Sequence, residues 1–199
     1  MPSVSAMVLT CPGREHFRAP LFEAIERFTL APDEIIEMDG PDDVGIKRDR
    51  ALRLAKGEIL VLLDDDDWHH PMRIEKQVRA LELAPFSIVG TSNFYVHDLR
   101  KNLITYSRTW GGCTCMPAGS LAFWREPALA LGFLPGHSSE EQFQAGWRQL
   151  YGDRVIDVRD ASLFVHRRHG KNVSPDGWVL TDRLVPAAEL VKVFGGLYP

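Results

Sequence analysis

Four consecutive aspartates, Asp64-Asp65-Asp66-Asp67, follow directly on the apolar run Ile59-Leu60-Val61-Leu62-Leu63. Carboxylates crowded at the end of a buried strand repel one another, and a divalent cation would relieve that repulsion. Hard carboxylate oxygens suit Mg²⁺ or Mn²⁺, which complete their shell with water and substrate phosphate. Side chains alternate along an extended segment, so Asp64 and Asp66 are expected to converge while Asp65 points away. The same residues also read as a solvated acidic loop that caps the following helix, with Asp67 near its positive end. Charge alone leaves both readings open.

The elements around the run decide what it can meet. Val4 to Leu9 reads as a buried strand stopped by Thr10-Cys11-Pro12-Gly13. Leu21, Phe22, Ile25 and Phe28 recur at helical spacing and predict a helix from about Ala19 to Thr29. Glu34 to Met38 is a second strand, ending at the turn-prone Asp39-Gly40-Pro41. Ile46 to Lys56 reads as a helix closed by Gly57, and the uninterrupted apolar run as a strand buried on both faces. Pro71 opens an amphipathic helix with Ile74, Gln77, Val78 and Leu81 on one face. A strand is expected over Phe86 to Val89.

The second half is less regular. Phe94 to Trp110 reads as a hairpin or two extended segments, Gly111 to Ser120 as a loop, and Leu121 to Trp124 as a short strand. Glu140 to Tyr151 carries a helical pattern. Val155 to Val158 and Ser162 to Val165 are strand-like, and Leu180 to Phe194 is a helix interrupted near Pro186. Strands alternating with helices over short connections predict an α/β fold with a mostly parallel sheet covered by helices on both faces. Ligands of such sheets bind beyond the carboxyl ends of the strands. Asp39 and Asp64 both fall there.

The chain has 199 residues, 45% hydrophobic and 25% charged, values of an ordinary globular domain with a core of its own. A net charge of −4 gives no general attraction to nucleic acid or anionic lipid, so a phosphate site has to be local. Cys11, Cys113 and Cys115 are too few for a disulfide framework. As a lone C-x-C pair, Cys113 and Cys115 read as small buried side chains rather than metal ligands. No basic-plus-apolar leader opens the chain, and no apolar run reaches the roughly 18 residues that span a bilayer. A cytoplasmic protein, soluble or peripheral to a membrane, is expected.

One ordered pattern is more specific. Gly45-Ile46-Lys47-Arg48-Asp49-Arg50-Ala51, then Ala55-Lys56-Gly57-Glu58 and the apolar strand, then Asp64-Asp65-Asp66-Asp67-Trp68, Pro71 and Gln77 resembles family 2 glycosyltransferases of the GT-A fold. That family carries an Arg/Asn-x-Ala helix, a Gly before the strand, a D-x-D-D turn and a Pro-led helix containing Gln. The resemblance implies one GT-A domain over residues 1–199, with a nucleotide-sugar half at 1–92 and an acceptor-side, catalytic half at 93–199. It implies that Thr10, Pro12 and Arg14 line the nucleotide pocket, that Asp39 holds the base or ribose, and that Arg48 approaches the base or diphosphate. Asp64 and Asp66 match the D-x-D pair, with Asp66 the direct metal ligand and Asp65 beside them on the donor side. The family often has Asn or Arg-Asn where this chain has Arg48-Asp49, which leaves base recognition open.

Later segments fall in the family's order. Ala118-Gly119-Ser120-Leu121 and Leu131-Gly132-Phe133 look like its Gly-Ser strand and Gly-Phe turn. Ser138-Ser139-Glu140-Glu141 resembles its acidic segment, which implies Glu141 as general base, with Glu140 the fallback; acids are also favoured at any helix start by the dipole. Val165 through His169-Gly170-Lys171-Asn172-Val173-Ser174 resembles its late His-Gly segment, implying His169 as a third metal ligand and Arg168 or Lys171 at the diphosphate. The implied reaction is transfer of a sugar from a nucleoside diphosphate donor, UDP-linked, to an acceptor hydroxyl with inversion, assisted by Mn²⁺ or Mg²⁺. Two alternatives stand beside it: nucleotidyl transfer onto a sugar phosphate, and a non-catalytic nucleotide-sugar-binding module. The acceptor stays open among a glycan, a lipid-linked sugar, a protein and a modified nucleic-acid base.

Overall fold

The computed structural model describes residues 1–107, 115–136, 138–172 and 183–198. Cys113, Val173, Ser174 and the segments 108–114 and 180–182 of the sequence reading lie outside the described residues. In chain order the elements are β1 (Val4–Leu9), α1 (Glu15–Ile25), β2 (Glu34–Met38), α2 (Val44–Leu54), β3 (Ile59–Asp64), β4 (Trp68–His69), α3 (Arg73–Leu83) and β5 (Ile88–Gly90). There follow β6 (Phe94–Asp98), β7 (Leu103–Ser107), β8 (Ala122–Trp124), α4 (Arg125–Leu131), α5 (Ser139–Tyr151), β9 (Val155–Asp157), β10 (Phe164–Arg168), β11 (Arg183–Leu184) and α6 (Ala187–Phe194).

Ile59 to Leu63 is buried along its whole length, as a run with no polar face requires. It lies inside a mixed sheet ordered β2-β1-β3-β8-β5-β9. The β1–β2, β1–β3 and β5–β9 pairs are parallel, and β8 runs antiparallel to both its neighbours. One face packs on Leu52, Phe123, Phe133, Phe143 and Trp147. The other packs on Leu21, Ile25, Ile74, Val78 and Leu81 of α1 and α3. The expected α/β architecture with helices on both faces is what the chain adopts.

A second sheet, ordered β11-β7-β6-β10-β4, leans on the first. Phe94 to Ser107 is the hairpin β6–β7, and the C-terminal α6 packs Phe194 against Trp68 and Tyr95. The pairing that matters most is β10 with β4: Val165 lies opposite Trp68 and Phe164 opposite His69. This seam brings the late basic segment alongside the end of β3.

Three element boundaries differ from the periodicity. Helix α1 begins at Glu15 and continues through Pro20, although Pro supplies no amide for the preceding turn. It stops at Ile25 because Thr29 is drawn away, donating its amide to Pro71 O at 3.0 Å and its hydroxyl to Glu75 at 2.6 Å. Ser162 belongs to a short 3₁₀ turn started by Asp160, so the strand begins only at Phe164. Arg183 and Leu184 form a strand before Pro186, where a helix interrupted at that residue was expected.

A buried cation ties the two sheets together. Arg73 donates to Leu62 O at 2.8 Å and to Gln77 Oε1 at 3.2 Å, and its Nη1 lies 2.6 Å from His69 Nδ1. Gln77 in turn donates to Ser120 O at 2.6 Å. Burial draws the Arg73 pKa down to about 9, with Asp64 and Asp67 opposing the fall. Removing this side chain strands His69 and Gln77 without their donor. Arg73→Met is expected to lose about 3 kcal/mol, a fall in Tm of about 6–12 °C for a chain of this size. Thermal melts followed by circular dichroism check this; an unchanged Tm contradicts it.

Candidate functional site

The parallel register fixes the first part of the site. Leu9 lies opposite both Met38 and Asp64, so Thr10, Asp39 and Asp65 leave the sheet side by side at the carboxyl ends of β1, β2 and β3. Asp39 Oδ1 accepts from the Thr10 hydroxyl at 3.0 Å and from the Gly40 amide at 2.6 Å. The Gly40 amide first and Thr10 second hold its pKa below the ordinary aspartate value. Thr10, Cys11, Arg18, Phe22, Glu37 and Asp39 line an open cleft of about 740 Å³. Lys47 was missed by the sequence reading. It is fully buried, and its ammonium donates to Thr10 O at 2.6 Å and Gly40 O at 3.1 Å, fastening the two loops that frame the cleft.

The acidic run is a tight turn, closed by the Asp67 amide donating to Asp64 O at 3.3 Å. The turn ends the strand alternation after Asp64, and this corrects the expectation for Asp65. Instead of pointing away, Asp65 shares Arg14 with Asp66: Arg14 Nη2 bonds Asp65 Oδ1 and lies 2.5 Å from Asp66 Oδ2. Burial pushes the Asp65 pKa up to about 7, with Arg14 opposing and Asp66 adding to the rise.

Asp66 Oδ2 also lies 2.9 Å from His169 Nε2 and accepts from Asn172 Nδ2 at 3.0 Å. Burial alone would raise its pKa, but the His169 hydrogen bond and Arg14 outweigh that and hold it below the ordinary value. Phe17 of α1 packs on the His169 ring with centroids 4.7 Å apart, and Asn172 Oδ1 accepts the His169 amide at 2.9 Å. His169 therefore reaches the turn as expected.

Asp67 also departs from expectation. It does not cap α3; it turns to β10, where Oδ1 lies 3.0 Å from His166 Nδ1 and accepts the Arg167 amide at 3.0 Å. Burial raises its pKa to about 6 against the pull of His166. His166 and Asn172 were quoted within the late segment but given no role; the β4–β10 pairing carries that segment to the turn.

Arg48 joins α2 to α5. Its Nη1 donates to Ser139 Oγ at 2.8 Å and to Glu140 Oε2 at 2.9 Å, and all three residues are buried. Arg48 thus clamps α2 to the start of α5, and it also lines the pocket that holds Asp64, Asp65 and Asp66. Glu140 is committed to that clamp. Glu141, next along α5, is half-buried, and its pKa is raised first by burial and then by Glu140. Pro12 and Lys171 are exposed on the loops after β1 and β10, and Arg168 ends β10.

A small pocket of about 80 Å³ lies where these groups meet, lined by Arg14, Asp64, Asp65, Asp66, Glu140 and Asn172 among others. Gly119 closes on the turn from behind: a Cβ there would sit 2.8 Å from Asp67 Oδ2 and 3.0 Å from Asp64 Oδ2. Among the described residues no three His, Cys, Asp or Glu side chains form a ready-made metal cage. The donor set still suits Mg²⁺ or Mn²⁺, which take one or two protein carboxylates and fill the rest of the shell from water and phosphate.

Residues 32–136 match the family model for glycosyl transferase family 2, more than half of the 199 residues. The chain belongs to this family. No curated protein matches it by sequence. Among solved structures it is similar to glucosyl-3-phosphoglycerate synthase of M. tuberculosis, with a TM-score of 0.62 at 18% identity over 88% of this chain and 74% of that one. The same synthase, solved with Mn²⁺, UDP-glucose and phosphoglyceric acid, gives a TM-score of 0.62 at 17% identity over 98% of this chain and 76% of that one. TarS of S. aureus gives 0.64 at 12% identity over 83% of this chain and 36% of that one. At these identities the likeness is one of fold. The family 2 chain has no helix among its described residues long and apolar enough to cross a membrane.

The His166–Asp67 pair gives the site a measurable signature. Burial lowers the His166 pKa, but Asp67, Asp66 and Asp64 outweigh it and leave it above 6.5. A histidine raised in the folded state stabilises fully below its unfolded pKa, and that contribution is lost as pH rises through the folded value. In an NMR titration without metal, the His166 ring is expected to titrate above 6.5 and to fall toward or below it in Asp67→Asn. A His166 pKa under 6.5 in the unsubstituted protein contradicts the pairing.

Proposed function

We propose that this chain transfers a sugar from a nucleoside diphosphate donor, UDP-linked, to an acceptor hydroxyl, with Mn²⁺ or Mg²⁺ as cofactor and inversion at the anomeric carbon. The observation that carries this reading is the meeting of Asp66, His169 and Asn172 at one oxygen beside the cleft headed by Thr10 and Asp39. The family membership and the complex of the similar synthase with Mn²⁺ and UDP-glucose support it. In this reading residues 1–92 bind the donor and 93–199 supply the acceptor side of one domain.

The nucleoside lies in the cleft, where Asp39 holds the base or ribose and Thr10 and Pro12 form the loop wall. Asp64, Asp66 and His169 would hold the divalent ion, which offsets the charge gathering on the leaving diphosphate. Arg14, with Arg168 or Lys171, would meet that diphosphate. Glu141 takes the proton of the attacking hydroxyl, a role that needs about 3 Å reach and contributes about 10²–10⁴-fold. Its raised pKa makes it a stronger base once ionised than an ordinary glutamate, and the Arg48–Glu140 clamp fixes the helix that presents it.

Two outcomes follow. With Mn²⁺, release of free sugar from UDP-sugar is expected from the intact protein and is expected to fall at least about 100-fold in Asp66→Asn, the scale of a lost charge-stabilising group; full turnover in that variant contradicts the assignment, and release of sugar phosphate with pyrophosphate exchange would indicate nucleotidyl transfer. The acid limb of the pH profile tests the base separately. Activity requires ionised Glu141, so it is lost as pH falls through a pKa above the ordinary glutamate value, and Glu141→Gln abolishes that limb together with about 10²-fold or more of the rate. A limb unchanged in Glu141→Gln moves the base elsewhere.

A further inference from the structure

The atom best placed to receive a cation already has one beside it. Asp66 Oδ2 takes His169 Nε2 at 2.9 Å, Asn172 Nδ2 at 3.0 Å and Arg14 Nη2 at 2.5 Å. A carboxylate oxygen has about two lone-pair sites, so three partners leave no room for a fourth. Arg14 is only 7% exposed, and the same Nη2 is also bound to Asp65. The guanidinium is thus an internal counter-ion seated across the acidic turn. A histidine can turn its lone pair to an ion, and an amide is neutral. Arg14 alone of the three is a permanent positive charge, and a divalent ion that takes Asp66 Oδ2 has to displace it.

Arg14 also has somewhere to go. It sits at the junction of the β1 loop and α1, next to Gly13 at φ +83°. The loop borders the nucleoside cleft on one side and the acidic turn on the other. Arg14 Nε is buried without a hydrogen-bond partner among the described residues, and so is Asp65 Oδ2. The present pairing therefore leaves both fork and carboxylate half used. A diphosphate lying between cleft and turn offers pairs of phosphate oxygens that the planar guanidinium fork can bind bidentately.

We propose that Arg14 is a displaceable counter-cation that couples the two ligands of the site: it holds the turn closed to divalent ions until the donor's diphosphate draws it away. The inference rests on the functional reading above and adds a direction to it. Donor and cation then bind with positive cooperativity, and by linkage each strengthens the other to the same degree. The residue acts by positioning and by charge, and takes no part in the bond that breaks.

The test is Mn²⁺ binding measured by electron paramagnetic resonance of the free ion, with and without UDP, on the intact chain and on Arg14→Gln. Arg79→Gln, an exposed cation on α3 paired with Glu75, controls for the general effect of one charge. Without UDP, Arg14→Gln is expected to bind Mn²⁺ at least about tenfold more tightly than the intact chain, the scale of losing one charge-assisted competitor. UDP should tighten Mn²⁺ binding strongly in the intact chain and much less in the variant. Melting in EDTA adds a readout of folding: Arg14→Gln should start with a lower Tm and gain more from Mn²⁺ than the intact chain does. If the intact chain binds Mn²⁺ with UDP but Arg14→Gln binds it no tighter than Arg79→Gln does, the counter-cation role is overturned and the functional reading stands. If no variant binds Mn²⁺ under any condition, both are overturned.

Discussion

The structure is organised by the need to neutralise buried negative charge. Asp65, Asp66 and Asp67 are all buried, directly after a strand with no polar face. Carboxylates in such a place are costly unless each meets a donor or a cation. The remedy comes from distant parts of the chain: Arg14 from the β1 loop, His166 and the Arg167 amide from β10, and His169 and Asn172 from just beyond it. The second sheet makes this possible, because β4 leaves the turn and immediately pairs with β10. Its position is thus set by the charges it serves.

Three buried cations divide the remaining work. Lys47 fastens the loops after β1 and β2, which frame the cleft. Arg48 fastens α2 to the first turn of α5 through Ser139 and Glu140. Arg73 lies beneath the turn and joins α3 to β3 and β4. None of these contacts belongs to a regular element's own hydrogen-bond ladder. Together they connect the cleft, the acidic turn and the first turn of α5 through side-chain hydrogen bonds.

Much of this was legible in the residues. The apolar run of β3, the helical spacing of α3 and α5, and acids at the ends of β2 and β3 are local signals, and the chain follows them. Arg14, Asp39, Asp64, Asp66 and His169 were named from motif order, and the structure brings Arg14, Asp66 and His169 into contact. The failures share a cause. Asp65 was misplaced because strand alternation stops where the Asp64–Asp67 turn begins. The Arg48–Glu140 clamp joins residues 92 positions apart, and His166 was missed because Asp67 lies 99 residues away. Periodicity reports which face of an element is buried; it carries no record of which distant side chain will share that burial.

In the proposed function the acidic turn and the late His-Gly segment form one site for a divalent ion and a donor diphosphate. Anomalous diffraction from crystals soaked with UDP and Mn²⁺, collected at the manganese edge, tests it most directly. The account requires one strong peak within bonding distance of Asp66 and His169, with the diphosphate beside it and the nucleoside against Asp39. A peak bound elsewhere, or UDP seated in the cleft with its diphosphate turned away from Asp66, would contradict it.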